Sequence, residues 1–242
     1  AAPRVSAGSG AVHSEAATSS RGRRPLKPAL PRGLYVITDR AMCAEQGLVP
    51  SVRAALRGGT AIVQYRDKSD DEPGRMAEAT ALARLCRKSG ALFLVNDDPE
   101  LARRSGAHGV HIGRGDTDVL GARDILGEDA LIGVSCYDSL DRARGAVAAG
   151  CDYVAFGSAF PSPTKPDAVH APERLFRSAC AELRVPVVAI GGITSANGAA
   201  LIAAGCRALA VISGVFGQPE PEDAARRFAA LFRRAAGEDR LE

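Results

Sequence analysis

Gly150-Cys-Asp-Tyr-Val154 is the stretch that decides the fold, because the chain repeats its pattern. Gly59-Thr-Ala-Ile-Val63, Gly106-Ala-His-Gly-Val110 and Gly205-Cys-Arg-Ala-Leu209 have the same form. Each follows an Ala/Leu/Arg stretch with helical spacing, and each opens a short apolar, often β-branched run. A glycine at that junction suits the left-handed residue that ends a helix. The repetition therefore predicts iterated βα units.

Working outward, eight such runs predict strands. They are Leu34–Thr38, Ile62–Arg66, Leu92–Val95, Gly109–Ile112, Leu131–Ser135, Tyr153–Gly157, Val187–Ile190 and Ala208–Ile212. Helical patterns lie between them, including Glu78–Lys88, Leu140–Ala149 and Ala196–Ala204, and Glu222–Ala235 follows the last strand. The strand interiors are rich in Val, Ile and Leu, as a parallel sheet covered on both faces requires. Eight strand–helix pairs predict a single-domain α/β protein, a (β/α)₈ TIM barrel over residues 33–242. A doubly wound sheet is the alternative. It usually carries a glycine-rich loop after its first strand, where this chain has Asp39-Arg40-Ala41-Met42.

Residues 1–32 lack hydrophobic periodicity. Rich in Ala, Ser, Gly, Pro and Arg, they predict a disordered basic tail. Both a dispensable extension and an organellar transit peptide fit that composition, whereas a secretory signal needs an apolar core this segment lacks. The tail holds six basic residues and one acidic residue. Of the formal charge of +3 it thus carries +5, which leaves −2 on the barrel. That balance gives no case for a nucleic acid or membrane partner. With aromatics at 5% and no Trp, stacking platforms for single-stranded nucleic acid are not expected either. Cys43, Cys86, Cys136, Cys151, Cys180 and Cys206 are scattered without a CxxC pair. They read as reduced, buried thiols of a cytoplasmic protein.

Barrel enzymes place their chemistry at the C-terminal ends of the strands. Strand 2 ends in Gln64-Tyr-Arg66-Asp-Lys68. Alternation puts Gln64, Arg66 and Lys68 on one face, as an anion site. Asp97 and Asp116, after strands 3 and 4, are candidate ligands of a hard cation, and Mg²⁺ suits one or two carboxylates plus phosphate. Asp98 precedes Pro99 and reads as a helix N-cap. The loop after strand 6 carries Ser162, Thr164 and Lys165 among Pro161, Pro163 and Pro166, so its donors are oriented at low ordering cost. Gly192 and Ser213, after strands 7 and 8, occupy the usual phosphate position of barrels. The set suggests two phosphorylated substrates, one carrying a diphosphate. His108 and His111, three apart on a strand, face opposite ways and cannot share a metal.

Taken in order, these residues resemble a known family. Val63-Gln-Tyr-Arg-Asp-Lys68, Val95-Asn-Asp-Asp98, Gly109-Val-His-Ile-Gly113 with Asp116, and Gly133-Val-Ser135 come first. Gly157-Ser-Ala-Phe-Pro-Ser-Pro-Thr-Lys165, Ile190-Gly-Gly-Ile193 and Val211-Ile-Ser213 follow. The chain resembles the thiamine phosphate synthases over about residues 33–235. The Phe-Pro-Ser-Pro-Thr-Lys segment is the most specific piece. The resemblance implies a transferase that joins a hydroxymethylpyrimidine diphosphate to a thiazole phosphate, with or without a carboxylate on the thiazole ring. Its products are thiamine phosphate and pyrophosphate, the pyrophosphate departing dissociatively while bound to Mg²⁺. It further implies that Gln64, Tyr65, Arg66, Asp67 and Lys68 contact the pyrimidine diphosphate. Arg66, Lys68, Asn96, Ser135 and Lys165 would hold its pyrophosphate or pyrimidine end, and Arg66, Lys68, Ser135 and Lys165 would be catalytic. Asp97 and Asp116 would bind Mg²⁺. Ser162, Pro163, Thr164, Gly192, Ile212 and Ser213 would hold the thiazole phosphate. Related thiazole tautomerases use a His near the end of strand 5, and Ser135-Cys-Tyr-Asp-Ser139 contains none. A non-catalytic phosphate-binding barrel would be expected to lack a metal ligand or a pyrophosphate cation, and the sequence has both. The oligomeric state is left open.

Overall fold

The structure, a computed structural model, describes residues 27–113, 115, 117–161 and 169–237. Eight parallel strands close into a barrel in sequence order, β8 pairing back onto β1. They are β1 (Gly33–Ile37), β2 (Thr60–Tyr65), β3 (Leu92–Asn96), β4 (Gly109–Ile112), β5 (Leu131–Tyr137), β6 (Tyr153–Phe156), β7 (Val187–Ile190) and β8 (Ala208–Val211). Eight helices alternate with them. They are α1 (Leu48–Arg57), α2 (Glu72–Ser89), α3 (Pro99–Ser105), α4 (Val119–Leu126), α5 (Leu140–Ala148), α6 (Glu173–Glu182), α7 (Gly198–Ala203) and α8 (Pro221–Ala236). The predicted TIM barrel is the observed fold. The four repeated glycines all have positive φ: 96° at Gly59, 74° at Gly106, 89° at Gly150 and 102° at Gly205. Each follows a helix and turns the chain into the next strand, which is why the repeat is visible in sequence.

Alternation along the strands divides the core into two layers. Leu34, Val36, Val63, Phe93 and Val95 face the helices. Tyr35, Ile37, Ile62, Leu92, Leu94, Tyr153 and Val188 fill the barrel lumen. Burial on both faces explains the continuous apolar runs. All six cysteines are free thiols and only Cys180 is not fully buried, as the sequence suggested. Among the described residues, no helix is long and apolar enough to cross a membrane.

Most boundaries shift by one or two residues from the sequence reading, and two of the differences have a clear local cause. Helix α2 starts at Glu72, six residues before the predicted Glu78. Its first turn is Glu72-Pro-Gly, which reads as a turn, but Asp71 caps it by accepting from Gly74 N at 3.0 Å, and Pro73 suits a first turn. Strand β5 runs two residues past Ser135 to Tyr137, through a register shift against β6. At the N-terminal end of the barrel, packing reaches back into the predicted tail. Leu30 is buried in the lumen cluster, Arg207 Nε donates to its carbonyl at 3.1 Å, and Arg32 Nη1 donates to Phe232 O at 3.0 Å. The rest of that predicted tail, residues 1–26, lies outside the described residues.

Candidate active site

Of the predicted polar residues that are described, Gln64, Lys68, Asn96, Asp97 and Ser135 lie at or just past the strand ends. Gln64, near the end of β2, points into the lumen and is almost fully buried. Lys68, four residues on, forms an ion pair with Asp97, the residue after β3. Asn96 Nδ2 donates to the same carboxylate at 2.6 Å. Asp97 adopts φ 63°, an uncommon backbone for a non-glycine residue that Asp tolerates better than most. Its N–H donates to His111 O at 2.8 Å, which ties this turn to β4. Asp98 caps α3 as expected, accepting from Leu101 N at 2.8 Å, and Arg75 holds its other oxygen at 2.8 Å.

Arg66 is held through its backbone. Its N–H donates to Thr38 Oγ1 at 2.8 Å, across from the end of β1. Tyr65 and Asp67 are not brought into the group. They alternate to the helix-facing side, where Tyr65 Oη donates to Glu78 at 2.8 Å and Asp67 accepts from Ser69 N at 2.8 Å and pairs with Arg40. Burial acts to raise the Asp67 carboxyl, but the Ser69 hydrogen bonds and the Arg40 charge outweigh it and leave it below the usual range. Burial and the carboxylates of Glu78 and Asp67 raise the Tyr65 phenol above its ordinary range.

Ser135 lies on β5, and its hydroxyl is 2.9 Å from His111 Nε2. Its carbonyl accepts from Arg142 Nε at 2.8 Å, and Arg142 Nη2 donates to Gly113 O at 3.1 Å. Arg142 thereby pins the end of β5 to the segment leaving β4. Gly192 lies after β7 with φ 61°. Its missing side chain makes room for the chain's own backbone, since a Cβ there would collide with the carbonyls of Phe160 and Pro161. Phe160 N donates to Gly191 O at 3.0 Å, which stitches the loop after β6 onto the loop after β7. Ile212 and Ser213 follow β8, where the Ile212 carbonyl accepts from Val215 N and Phe216 N in a tight turn.

Asp116, Ser162, Pro163, Thr164 and Lys165 lie outside the described residues. Among the described residues, no group of three or more His, Cys, Asp or Glu could hold a metal ion. Asp97 is the one predicted ligand described. It offers hard carboxylate oxygens beside a cation that binds phosphate well, which suits Mg²⁺ bound partly by the protein and partly by a phosphorylated ligand. At the opposite end of the barrel, a groove of about 540 Å³ is lined by Lys27, Leu30, Asp152, Arg184 and Arg207 among others and holds none of these residues.

Sequence reasoning missed Thr38, Arg142, Tyr35, Tyr153 and His111. His108 and His111 do face different ways. His108 Nδ1 accepts from Phe93 N at 3.0 Å, while His111 sits in the lumen. The spacing that denies them a shared metal says nothing of His111 pairing with hydroxyls. The available signal was Tyr35, Tyr153 and His111 at lumen-facing positions otherwise filled by aliphatic residues.

Residues 34–215 match the protein family described as TMP-TENI, thiamine monophosphate synthase. A thiamine-phosphate synthase of Thioalkalivibrio sulfidiphilus is 54% identical over 201 residues, covering 83% of this chain and 95% of the relative. One of Halorhodospira halophila is 53% identical over 209 residues, covering 86% and 98%. The solved structure of a thiamine phosphate pyrophosphorylase from Pyrococcus furiosus superposes with a TM-score of 0.77 at 34% identity, covering 84% of this chain and 96% of that one.

Proposed function

The chain belongs to the thiamine monophosphate synthase family, and from that membership we propose that it joins a hydroxymethylpyrimidine diphosphate to a thiazole phosphate, releasing thiamine phosphate and pyrophosphate. The observation that carries this reading is the meeting of Lys68, Asn96 and Asp97 at one end of the barrel, beside Gln64 and Ser135. Lys68 supplies a cation there, with the Asn96 amide beside the Asp97 carboxylate, and a reaction that expels an anion needs such a cation.

In the proposed reaction, the bond between the pyrimidine methylene and the diphosphate oxygen breaks. The electron pair leaves with pyrophosphate, and the electron-rich ring stabilises the methylene cation. The thiazole nitrogen then forms the new C–N bond with its own lone pair, so no base has to remove a proton. Arg66, Lys68 and Lys165 neutralise the departing anion, and Asn96 and Ser135 hydrogen-bond it or the pyrimidine end. Gln64 orients the pyrimidine. Tyr65 and Asp67 brace the segment from the helix side. Ser162, Pro163, Thr164, Gly192, Ile212 and Ser213 hold the thiazole phosphate, so that the nitrogen and the methylene meet in an attacking geometry. Asp97 and Asp116 hold Mg²⁺, which when bound supplies charge neutralisation at the phosphates. Both substrates are small and phosphorylated, and the reaction belongs in the cytoplasm.

The test is to incubate the protein with both substrates and Mg²⁺ and identify the product by mass. Thiamine phosphate is expected. Isomerisation of the thiazole alone, or binding of phosphates without turnover, contradicts the proposal.

A further inference from the structure

A row of five polar side chains crosses the lumen from β2 to β5. Gln64 Nε2 donates to Tyr35 Oη at 2.6 Å, and Tyr35 Oη lies 3.0 Å from Tyr153 Oη. Tyr153 Oη lies 2.9 Å from His111 Nδ1, and His111 Nε2 lies 2.9 Å from Ser135 Oγ. Only Ser135 is not fully buried. The two ends of the row are candidate substrate contacts, whereas the three residues between them have no assigned part.

The row has a direction. A phenol has one proton to give, and a neutral imidazole has one N–H and one acceptor nitrogen. Tyr35 accepts from Gln64, so its proton goes to Tyr153. Tyr153 then donates to His111 Nδ1, which leaves the imidazole proton on Nε2, directed at Ser135 Oγ. The Ser135 proton is thereby turned out of the row, toward the mouth of the barrel. If the Gln64 amide is rotated by half a turn, every bond reverses and Ser135 donates into the row instead.

Packing holds the rings to these partners. His111 and Tyr153 stack with centroids 5.5 Å apart, and Tyr35 meets Tyr153 edge-on at 6.4 Å. Gly133 lies beneath Tyr153, and a Cβ there would collide with its ring. A polar row sealed in an apolar lumen is costly unless every member is paired, so its members are bound to one another's orientation.

We infer that Tyr35, Tyr153 and His111 form a one-way hydrogen-bond relay that couples the amide orientation of Gln64 to the donor direction of the Ser135 hydroxyl. The three are positioning residues, acting through the two ends of the row. A ligand that fixes the Gln64 amide fixes at the same moment whether Ser135 donates to the anion beside it. This use in turnover rests on the proposed synthase reaction, but the relay itself does not. Burial, partly opposed by Asp97, pushes the His111 imidazole down to about 4, in keeping with a neutral ring.

Two experiments test it. In protein labelled with ¹⁵N-histidine, without substrates, His111 is expected as a single tautomer with its proton on Nε2. Tyr153→Phe removes the donor to Nδ1 and is expected to move His111 to a mixture of tautomers. If that variant does not fold, Tyr35→Phe cuts the row one step earlier and is expected to give a mixture too. A mixture of tautomers in the unaltered protein, or an unmoved tautomer in the variant, overturns the relay; a single Nδ1 tautomer assigns the reversed direction, with the Gln64 amide turned over. In turnover, Tyr35→Phe is expected to lower kcat about tenfold in the unaltered background. It should lower kcat less than about twofold once Ser135→Ala is present, because the two act through one path. Equal falls in both backgrounds overturn the coupling. If the unaltered protein makes no thiamine phosphate, the proposed reaction fails while the histidine spectrum still decides the relay.

Discussion

Replacing Arg142 by Ala should damage stability and turnover together. Arg142 lies in the first turn of α5, and its guanidinium donates to Ser135 O at 2.8 Å and to Gly113 O at 3.1 Å. It also lies 5.7 Å from the centre of the Tyr137 ring. Hydrogen bonds to charged groups contribute about 1.5–3 kcal/mol each when well shielded. Arg142 is half-buried, so solvent screening reduces the pair to about 2 kcal/mol together. The contact with Tyr137 adds about 0.5 kcal/mol. A loss of about 2.5 kcal/mol corresponds to a fall in Tm of about 5–10 °C for a domain of this size. The pin also sets the spacing between the segment leaving β4 and Ser135, where a displacement of about 1 Å can cost a hundredfold in rate. We therefore expect kcat/KM to fall about 10–100-fold, read by a steady-state assay beside a thermal melt. Arg142→Lys keeps the charge but not the fork, and should recover little of either loss. An Ala variant within about 0.5 kcal/mol and twofold of the unaltered protein refutes the reasoning. Full recovery with Lys refutes the geometric part.

Asp97→Ala and Lys165→Ala should each abolish turnover while the far-ultraviolet circular dichroism stays unchanged; native rates in either variant remove that residue from the proposed machinery. Gly133→Ala forces a methyl against Tyr153 and should cost about 1–3 kcal/mol in urea unfolding, with a smaller loss meaning that the ring can shift. Burial pushes the thiols of Cys86, Cys136 and Cys151 up to about 12 and also raises Cys43, whereas a hydrogen bond with Cys206 lowers half-buried Cys180 and raises Cys206. At pH 8 a thiol reagent should therefore label Cys180 first in the native protein and all six cysteines once it is unfolded, and rapid native labelling of Cys136 contradicts this.

Strand positions were legible because double-sided burial leaves unbroken apolar runs and because four glycines mark the same helix-to-strand turn. The start of α2 was not, since Glu72-Pro-Gly uses residues that occur in turns and in first helical turns alike. At the site, alternation correctly sent Gln64 into the lumen, while Tyr65 and Asp67 carry the same polar character on the outer face. Lys68 and Asp97 could be named separately, but their pairing depends on how β2 and β3 lie side by side. The relay was invisible for a similar reason. Tyr35, His111 and Tyr153 come from three separate strands, and only closure of the barrel brings them together.

The most direct measurement follows pyrophosphate and thiamine phosphate together, with the protein, Mg²⁺ and both substrates present and with each substrate omitted in turn. The account predicts that the two products appear in equal amounts and only when both substrates are present. Pyrophosphate released without an equal amount of thiamine phosphate, or no product at all, contradicts it.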